Sequence, residues 1–587
     1  MKFKRTHKCT SLSPENAGEN VVIMGWVQKR RDHGGLIFLD IRDRSGLVQI
    51  VFSPKNEKAF NIAEKIKVEY VVAIKAKVRK RPEGNINPDM KTGEIELLVK
   101  DVEILAKSKT PPFQIENSAE VNENIRLQYR YLDLRRPFMK NIMKLRHNAM
   151  KKTRDYLIEN DFWEIETPIL TKSTPEGARD YLVPSRVKPG NFYALPQSPQ
   201  LFKQLLMVSG IERYFQIARC FRDEDLRANR QPEFTQIDIE MAFVKRNDVL
   251  SIVEGLTKQV FALANIEVPD NIPVMSYERA ISEYGTDKPD LRFDMKLFDI
   301  SKIVEDSDFN IFSKTIKNGG QVKGIKVEKG ADFTRSYIDE LTEHVKIFGA
   351  KGLAWFAVKN DNFKSPIAKF LSKQELNEIK EKMNAKNGDL LLFVADKPKI
   401  VASSLGNLRL KLADEMNLIP DNSHKFIWIV DFPLLEYDED EDRYIAQHHP
   451  FTAPLEKDIE LLDKNPEKVR ANAYDLVMDG EELCGGSIRI NTEEIQRKVF
   501  SALNITKKEA KEKFGFLLEA FSYGAPPHGG VAFGFDRMIQ LMSGADSIRD
   551  VIAFPKTQSA TSPLTNAPTP VSKEQLDELG IKLKNYK

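Results

Sequence analysis

The segments Phe221-Arg-Asp-Glu224 and Phe234-Thr-Gln-Ile-Asp-Ile-Glu240, separated by a loop, decide how this 587-residue chain is read. Around them, residues 214–219 and 234–241 are strand-like. Two more such runs, 483–490 and 530–535, alternate with helical stretches such as 249–263 and 507–520. The runs are not spaced as strand–helix–strand crossover units, so a mostly antiparallel sheet flanked by helices is expected. Upstream, Ile142, Leu145, Ala149, Tyr156 and Leu157 keep a helical beat over 141–160, and Phe162-Trp-Glu-Ile-Glu-Thr-Pro168 then turns extended at its proline. Residues 293–424 interrupt this material with strands, Gly-rich turns and helices of their own, which predicts an inserted α+β domain.

Nearer the N-terminus, five strand-like runs at 21–27, 36–42, 47–52, 70–78 and 94–105 surround one helical stretch at 57–67, where Ala59, Phe60, Ala63 and Ile66 recur at helical spacing. Five strands with a helix after the third is the layout of an OB-fold barrel, either a reader of single-stranded nucleic acid or a purely structural barrel. The Pro-containing stretch 108–136 reads as a hinge or linker. The whole is an α+β multidomain chain, divided as 1–107, 108–136, 137–292, 293–424, 425–556 and a C-terminal extension 557–587. Length agrees, since one hydrophobic core does not extend over so many residues.

Hydrophobic residues at 41% and charged residues at 30% suit a folded globular chain, not a disordered one. No stretch holds the ~20 apolar residues that a membrane span needs, and no export signal is evident at the N-terminus, so a cytoplasmic, non-membrane protein is expected. The three cysteines, Cys9, Cys220 and Cys484, are too far apart for a zinc knuckle or disulfide framework. With 89 basic and 86 acidic residues, a net charge of +3 neither demands nor excludes a nucleic-acid partner.

Three segments occur in a telling order: the helix leading to Pro168, the pair quoted first, and Gly529-Gly-Val-Ala-Phe-Gly-Phe-Asp536-Arg537 running into an apolar helix. They resemble motifs one, two and three of the class II aminoacyl-tRNA synthetases. Thr174-Pro-Glu-Gly-Ala-Arg-Asp-Tyr181, Pro196-Gln-Ser-Pro-Gln-Leu-Phe-Lys203, His448-His-Pro-Phe451, Gly524-Ala-Pro-Pro-His-Gly-Gly530 and the large insert narrow the resemblance to the bacterial aspartyl-tRNA synthetase family over essentially the whole chain. That implies an N-terminal OB-fold barrel that reads the anticodon, a class II antiparallel-sheet catalytic core, and an insert similar to a domain also found in an amidotransferase. It implies a homodimer with motif one at the interface.

Joining an aspartate α-carboxylate to the α-phosphorus of ATP brings two anions together, so positive charge and alignment are needed more than a protein nucleophile. By the resemblance, Arg222 meets the α-phosphate and Arg537 the γ-phosphate, each with a planar donor fork. Glu482 and Asp475 match positions that hold Mg²⁺. Phe234 resembles the ring under adenine, with Asp223, Glu224, Gln231, Gly534, Phe535 and Asp536 as further nucleotide positions. Lys203 and Arg489 resemble the clamp on the substrate β-carboxylate, and Glu176, Gln200 and Asp238 the groups around its ammonium, with Ser198 and His448 completing the pocket. Two cations should reject asparagine, whose amide leaves charge unpaired. His448 and His449 could instead bind metal, but adjacent histidines usually point different ways and substrate contact is the better reading. The Gly485-Gly486 and Gly529-Gly530 pairs suit close backbone approach or tight turns.

In the barrel, the Phe38 pattern alone fits a core residue of Leu36-Ile-Phe-Leu39. The resemblance assigns Arg31, Phe38, Gln49 and Glu96 to the anticodon, with Phe38 stacking on its middle base. His33 and Gly84 resemble the relaxed type of enzyme, which charges tRNA(Asn) as well as tRNA(Asp). That in turn implies an amidotransferase partner to convert the mischarged product.

Overall fold

The computed structural model describes residues 1–584 apart from 119, 174–177, 225–228, 361 and 440, and separates into two compact units, Met1–Lys140 and Asn141–Lys587. In the first, strands Asn20–His33, Leu36–Arg42, Leu47–Phe52, Val71–Lys80 and Ile95–Ala106 close into a barrel in the order first, second, third, fifth, fourth. Its interior is filled by alternate residues such as Ile37, Leu39 and Ile41, with Val48, Ile50 and Leu97 opposite. Helix Glu57–Ala63 follows the third strand and is capped by Asn56, whose side chain accepts from the Ala59 amide. The first strand runs six residues beyond the predicted end at Val27. A register shift between Val27 and Lys29 lets the charged segment through His33 pair with the second strand. Gly34 and Gly35, both at positive φ, close that hairpin.

The second unit is organised on an eight-stranded sheet. The strand Glu233–Ala242 is paired antiparallel with Arg213–Phe221 on one side and His528–Gly534 on the other, and Glu481–Ile488 lies beyond. Ile237, Ile239 and Met241 alternate into the apolar core, where helix Arg246–Phe261 adds Val249, Val253, Leu256 and Val260. The intervening Gln236, Asp238 and Glu240 are buried too, on the opposite side of the same strand. Three sheet strands escape the sequence reading: the three-residue Val274–Ser276 and the longer Phe426–Val430 and Ala473–Met478. All residues in the two longer strands are buried, so neither shows the alternation of a half-exposed strand. The inserted stretch builds a separate five-stranded sheet, Leu297–Asp299, Gln321–Val327, Leu390–Asp396, Ala354–Lys359 and Asn362–Lys364 in spatial order. Among the described residues, no helix is long and apolar enough to cross a membrane.

Candidate active site

A cavity of about 530 Å³ opens over the polar side of the large sheet. Phe234, Gln236 and Asp238 reach it from one strand at the two-residue repeat of a pleat. Ser487 and Arg489 enter from strand Glu481–Ile488, two places away in the sheet, and its exit, and Lys203 comes from helix Gln200–Val208. Lys203, Arg489, Arg222 and Arg537 all line it. The four cations expected to gather an amino acid and a triphosphate therefore share one chamber.

At the deep end the charges are closely balanced. Lys203 Nζ lies 2.7 Å from Asp238 Oδ1 and 3.2 Å from Glu240 Oε2. Arg489 donates from Nε and Nη2 to the two Glu240 oxygens, at 2.9 and 3.1 Å, and from Nη1 to His449 Nε2 and Ser487 Oγ. Burial alone would keep Glu240 protonated, but Arg489 and Lys203 outweigh it and hold the carboxyl at about 2. Asp238 goes the other way: burial raises it despite Lys203. Its Oδ2 is buried without a hydrogen bond among the described residues, and the Tyr214 hydroxyl is a further group beside the carboxyl. Gly530 makes the arrangement possible, because a Cβ there would lie 2.0 Å from Glu240 Oε2. The deep cations are thus paired before any substrate arrives. The two cations expected from the sequence to reject asparagine therefore already have carboxylate partners.

Towards the mouth, the Arg222 guanidinium stands 5.0 Å from the Phe234 ring centre, and its buried Nε has no partner among the described residues. Arg537 Nη1 rests on Glu481 Oε2 at 2.6 Å. Glu482 takes Lys288 Nζ on Oε2 at 2.7 Å. A Cβ at Gly485 would lie 2.6 Å from Asp475 Oδ1 and 3.3 Å from Glu482 Oε1, so these two oxygens converge on one place. Asp475 Oδ1 is buried without a hydrogen bond, and burial, reinforced by Glu482, raises the acid well above the usual range. Burial also opposes ionisation of Glu482, but Lys288 prevails and lowers it. Two converging carboxylates, one unsatisfied and hard to ionise, suit a hard divalent cation with oxygen ligands. His448 is held neutral, mainly by burial, down to about 4. Its Nδ1 is, among the described residues, another unsatisfied buried atom around this cavity, with Asp238 Oδ2, Arg222 Nε and Asp475 Oδ1.

In the barrel, Arg31 donates to Asp40 Oδ1 at 2.7 Å and Gln49 Oε1 at 3.2 Å, Gln49 Nε2 donates to Glu96 Oε2 at 3.0 Å, and Arg79 holds Glu96 Oε1 at 2.7 Å. Phe38 pairs with Arg31 across the hairpin and points away from the core that its neighbours Ile37 and Leu39 enter. It is half-buried on the face of this polar row, not a core residue as its pattern alone would suggest. His33 is exposed beside the Gly34-Gly35 turn. Gly84 is exposed as well, and a Cβ there would meet nothing within 4 Å, so crowding does not require glycine.

Residues 122–558 match the family model for class II tRNA synthetases (D, K and N). The chain belongs to that family. Residues 21–105 of the synthetase match an OB-fold nucleic acid binding domain. Aspartate--tRNA(Asp/Asn) ligase of Halothermothrix orenii is 66% identical to the synthetase over 99% of each chain, and that of Natranaerobius thermophilus is 56% identical over 99% of this chain and all of the relative. Among solved structures, asparaginyl-tRNA synthetase from Pyrococcus horikoshii complexed with asparaginyl-adenylate covers 94% of this chain and 98% of its own, at 19% identity and a TM-score of 0.59. Aspartyl tRNA synthetase from Entamoeba histolytica gives 18% and 0.58, covering 94% and 91%. At that identity the likeness concerns the fold.

Several expected site residues of the synthetase stand elsewhere or are otherwise engaged. Phe535 is fully buried in the hydrophobic core, with Arg146 over its ring, and Asp223 forms a backbone bridge with Arg179; neither lines the cavity. Asp536 is at the wall, but its carboxylate accepts from Arg146 and from the Thr235 amide, which makes it a brace for the sheet. Gln231 gives both ends of its amide to the Lys556 backbone, and Glu224 is paired with Arg230. Gln200 bonds Gln204. Glu176 lies outside the described residues. Sequence reading assigned no role to Glu240, Asp287, Lys288 or Ser487, all of which line the cavity or hold its cations. For Glu240 a signal existed: a charged residue two positions beyond Asp238 on a strand buried on both sides has to be paired. Lys288 had none, since nothing in its neighbourhood marks it as facing Glu482.

Proposed function

We propose that the synthetase activates L-aspartate with ATP and esterifies it to tRNA(Asp) and also to tRNA(Asn). The observation that carries the activation step is the single chamber with balanced carboxylates and cations at one end and two arginines at the other. The substrate ammonium would supply the donor that Asp238 Oδ2 lacks, and Lys203 and Arg489 would turn spare N–H bonds to the β-carboxylate. Arg222 Nε would donate to the α-phosphate as the carboxylate oxygen bonds to phosphorus and pyrophosphate departs. Phe234 offers its ring to the adenine, and Arg537 can leave Glu481 for the γ-phosphate. A divalent cation such as Mg²⁺, held by Asp475 and Glu482, would neutralise phosphate charge. The relatives named for both tRNAs, together with His33 and Gly84 in the barrel, support the relaxed tRNA choice. The barrel face of Arg31, Phe38, Gln49 and Glu96 suits an unstacked anticodon base.

The proposed division places the anticodon barrel at 1–107, the hinge at 108–136, the catalytic core at 137–292 and 425–556, the insert at 293–424 and an extension at 557–587. Exposed Ile158 at the end of the motif-one helix, with Trp163, Ile169 and Leu170 exposed after it, supports a homodimer there. An amidotransferase is the expected partner and the cytoplasm the expected location. Amino-acid-dependent exchange of pyrophosphate into ATP, run with all twenty amino acids, tests the activation step. Labelled aspartate with purified tRNA(Asp) and tRNA(Asn) tests the second step. Exchange with aspartate alone and ester on both tRNAs are expected. Ester on tRNA(Asp) only would make the enzyme discriminating, and no aspartate-dependent exchange would refute the activity.

A further inference from the structure

Arg409 is fully buried on helix Pro398–Glu415 of the inserted stretch, yet its guanidinium makes no carboxylate pair among the described residues. Nε donates to Met295 O and Nη2 to Asp290 O, each at 2.9 Å. Nη1 has no acceptor among the described residues, and the ring centres of Phe293 and Tyr284 lie 4.2 and 5.1 Å from the guanidinium carbon, so aromatic faces supply neighbours there. The same helix presses on the chain just before the loop of residues 286–292: a Cβ at Gly285 would lie 2.3 Å from Ala402 O. On its other side the loop abuts the turn that opens strand Glu481–Ile488, where a Cβ at Gly480 would lie 3.3 Å from Asp290 Cβ. Between these two walls run residues 286–292, which bring Asp287 and Lys288 to the cavity and Lys288 Nζ to Glu482.

We propose that Arg409 is a positioning residue for the catalytic cavity: from the insert it fixes the 286–292 loop and so sets the Lys288 ammonium on Glu482. Lys288 occupies Oε2 and leaves Oε1 turned to Asp475 Oδ1, as an outer partner does when it orients a ligating carboxylate. The insert, which carries none of the family's motifs, thereby acts on the ATP end of the site. This inference rests on the adenylation reading of the cavity.

The test uses the full chain with Arg409→Met, Lys288→Met, the double variant, and the milder Gly406→Ala, whose added Cβ would sit 3.0 Å from Gly285 O. Aspartate-dependent pyrophosphate exchange is measured against each substrate. Lys288→Met is expected to cost roughly 10- to 100-fold in kcat/KM for ATP, the range for losing an outer partner of a metal ligand. Arg409→Met and Gly406→Ala should move the same parameter in the same direction with the aspartate KM unchanged, and the double variant should be no worse than Lys288→Met. Additive losses, or equal losses on both substrates, overturn the proposal. Hydrogen exchange over residues 286–292, measured without substrate, should quicken in Arg409→Met, or in Gly406→Ala if the former does not fold; unchanged exchange overturns the clamp whatever the activity. A wild type that exchanges no pyrophosphate would refute the adenylation reading and leave the hydrogen-exchange arm to judge the clamp alone.

Discussion

Glu240 and Arg489 form a buried two-pronged pair, Oε1 on Nε at 2.9 Å and Oε2 on Nη2 at 3.1 Å, and the same carboxylate reaches Lys203. One anion therefore aligns both cations expected to receive the substrate side chain. Glu240→Gln leaves a buried guanidinium and ammonium under-compensated. It should lose about 3–5 kcal/mol of stability, the scale for breaking a buried pair, and raise the KM for aspartate more than that for ATP. Urea unfolding and pyrophosphate exchange check both effects; unchanged stability would mean the pair is not closed in solution.

Arg222 and Asp536 are both in motif segments and should behave oppositely. Arg222 Nε is unpartnered, so Arg222→Met should leave the unfolding midpoint in place while lowering kcat by roughly 10²–10³-fold, as for loss of one transition-state donor. Asp536 braces Arg146 and Thr235, so Asp536→Asn should lower the melting temperature first. A stable Asp536→Asn protein with strongly reduced ATP affinity would return that residue to the nucleotide site.

Phe38 turns outward from the barrel core, so Phe38→Ala should scarcely alter folding or tRNA-independent pyrophosphate exchange. It should weaken tRNA binding by roughly 1–3 kcal/mol, the worth of stacking one base on a ring. Filter binding of tRNA measures this, and undiminished affinity would count against an anticodon contact.

His448 stays neutral to about 4, against 6.5 for an ordinary histidine, mainly through burial. Its folded value is depressed, so the unfolded chain binds the extra proton between these limits. The stability contribution is full above 6.5 and is lost as pH falls towards 4, about 3 kcal/mol in all at ~1.4 kcal/mol per unit. In NMR titration of the ligand-free protein the His448 ring should show no midpoint between pH 5.5 and 8. A midpoint near the ordinary value would contradict a buried, neutral ring.

The barrel was legible because its strands alternate around a single closed core, and strands Leu36–Arg42 and Leu47–Phe52 stand where their patterns end. Phe426–Val430 was not, because a strand covered on both faces has no alternation to read. In the site, the spacing of Phe234, Asp238 and Glu240 put them on one strand, but only tertiary pairing reveals that Glu240 serves Arg489, 249 residues away. Lys288 and Arg409 were silent for the same reason: their meaning lies in which backbone they meet. Phe535 misled because adjacency in a motif says nothing about which of two neighbouring side chains faces inward.

The absent side chain at Gly530 gives Glu240 its passage. A bulkier residue there would evict an anion contributed by a strand nearly three hundred positions earlier, and would meet the Ile239 carbonyl as well, 2.2 Å from such a Cβ. Side chain and main chain of one strand thus both lean on the missing atom of the other, which makes the second half of the sheet a poor candidate for piecemeal exchange with a distant cousin: any graft would have to bring the same notch.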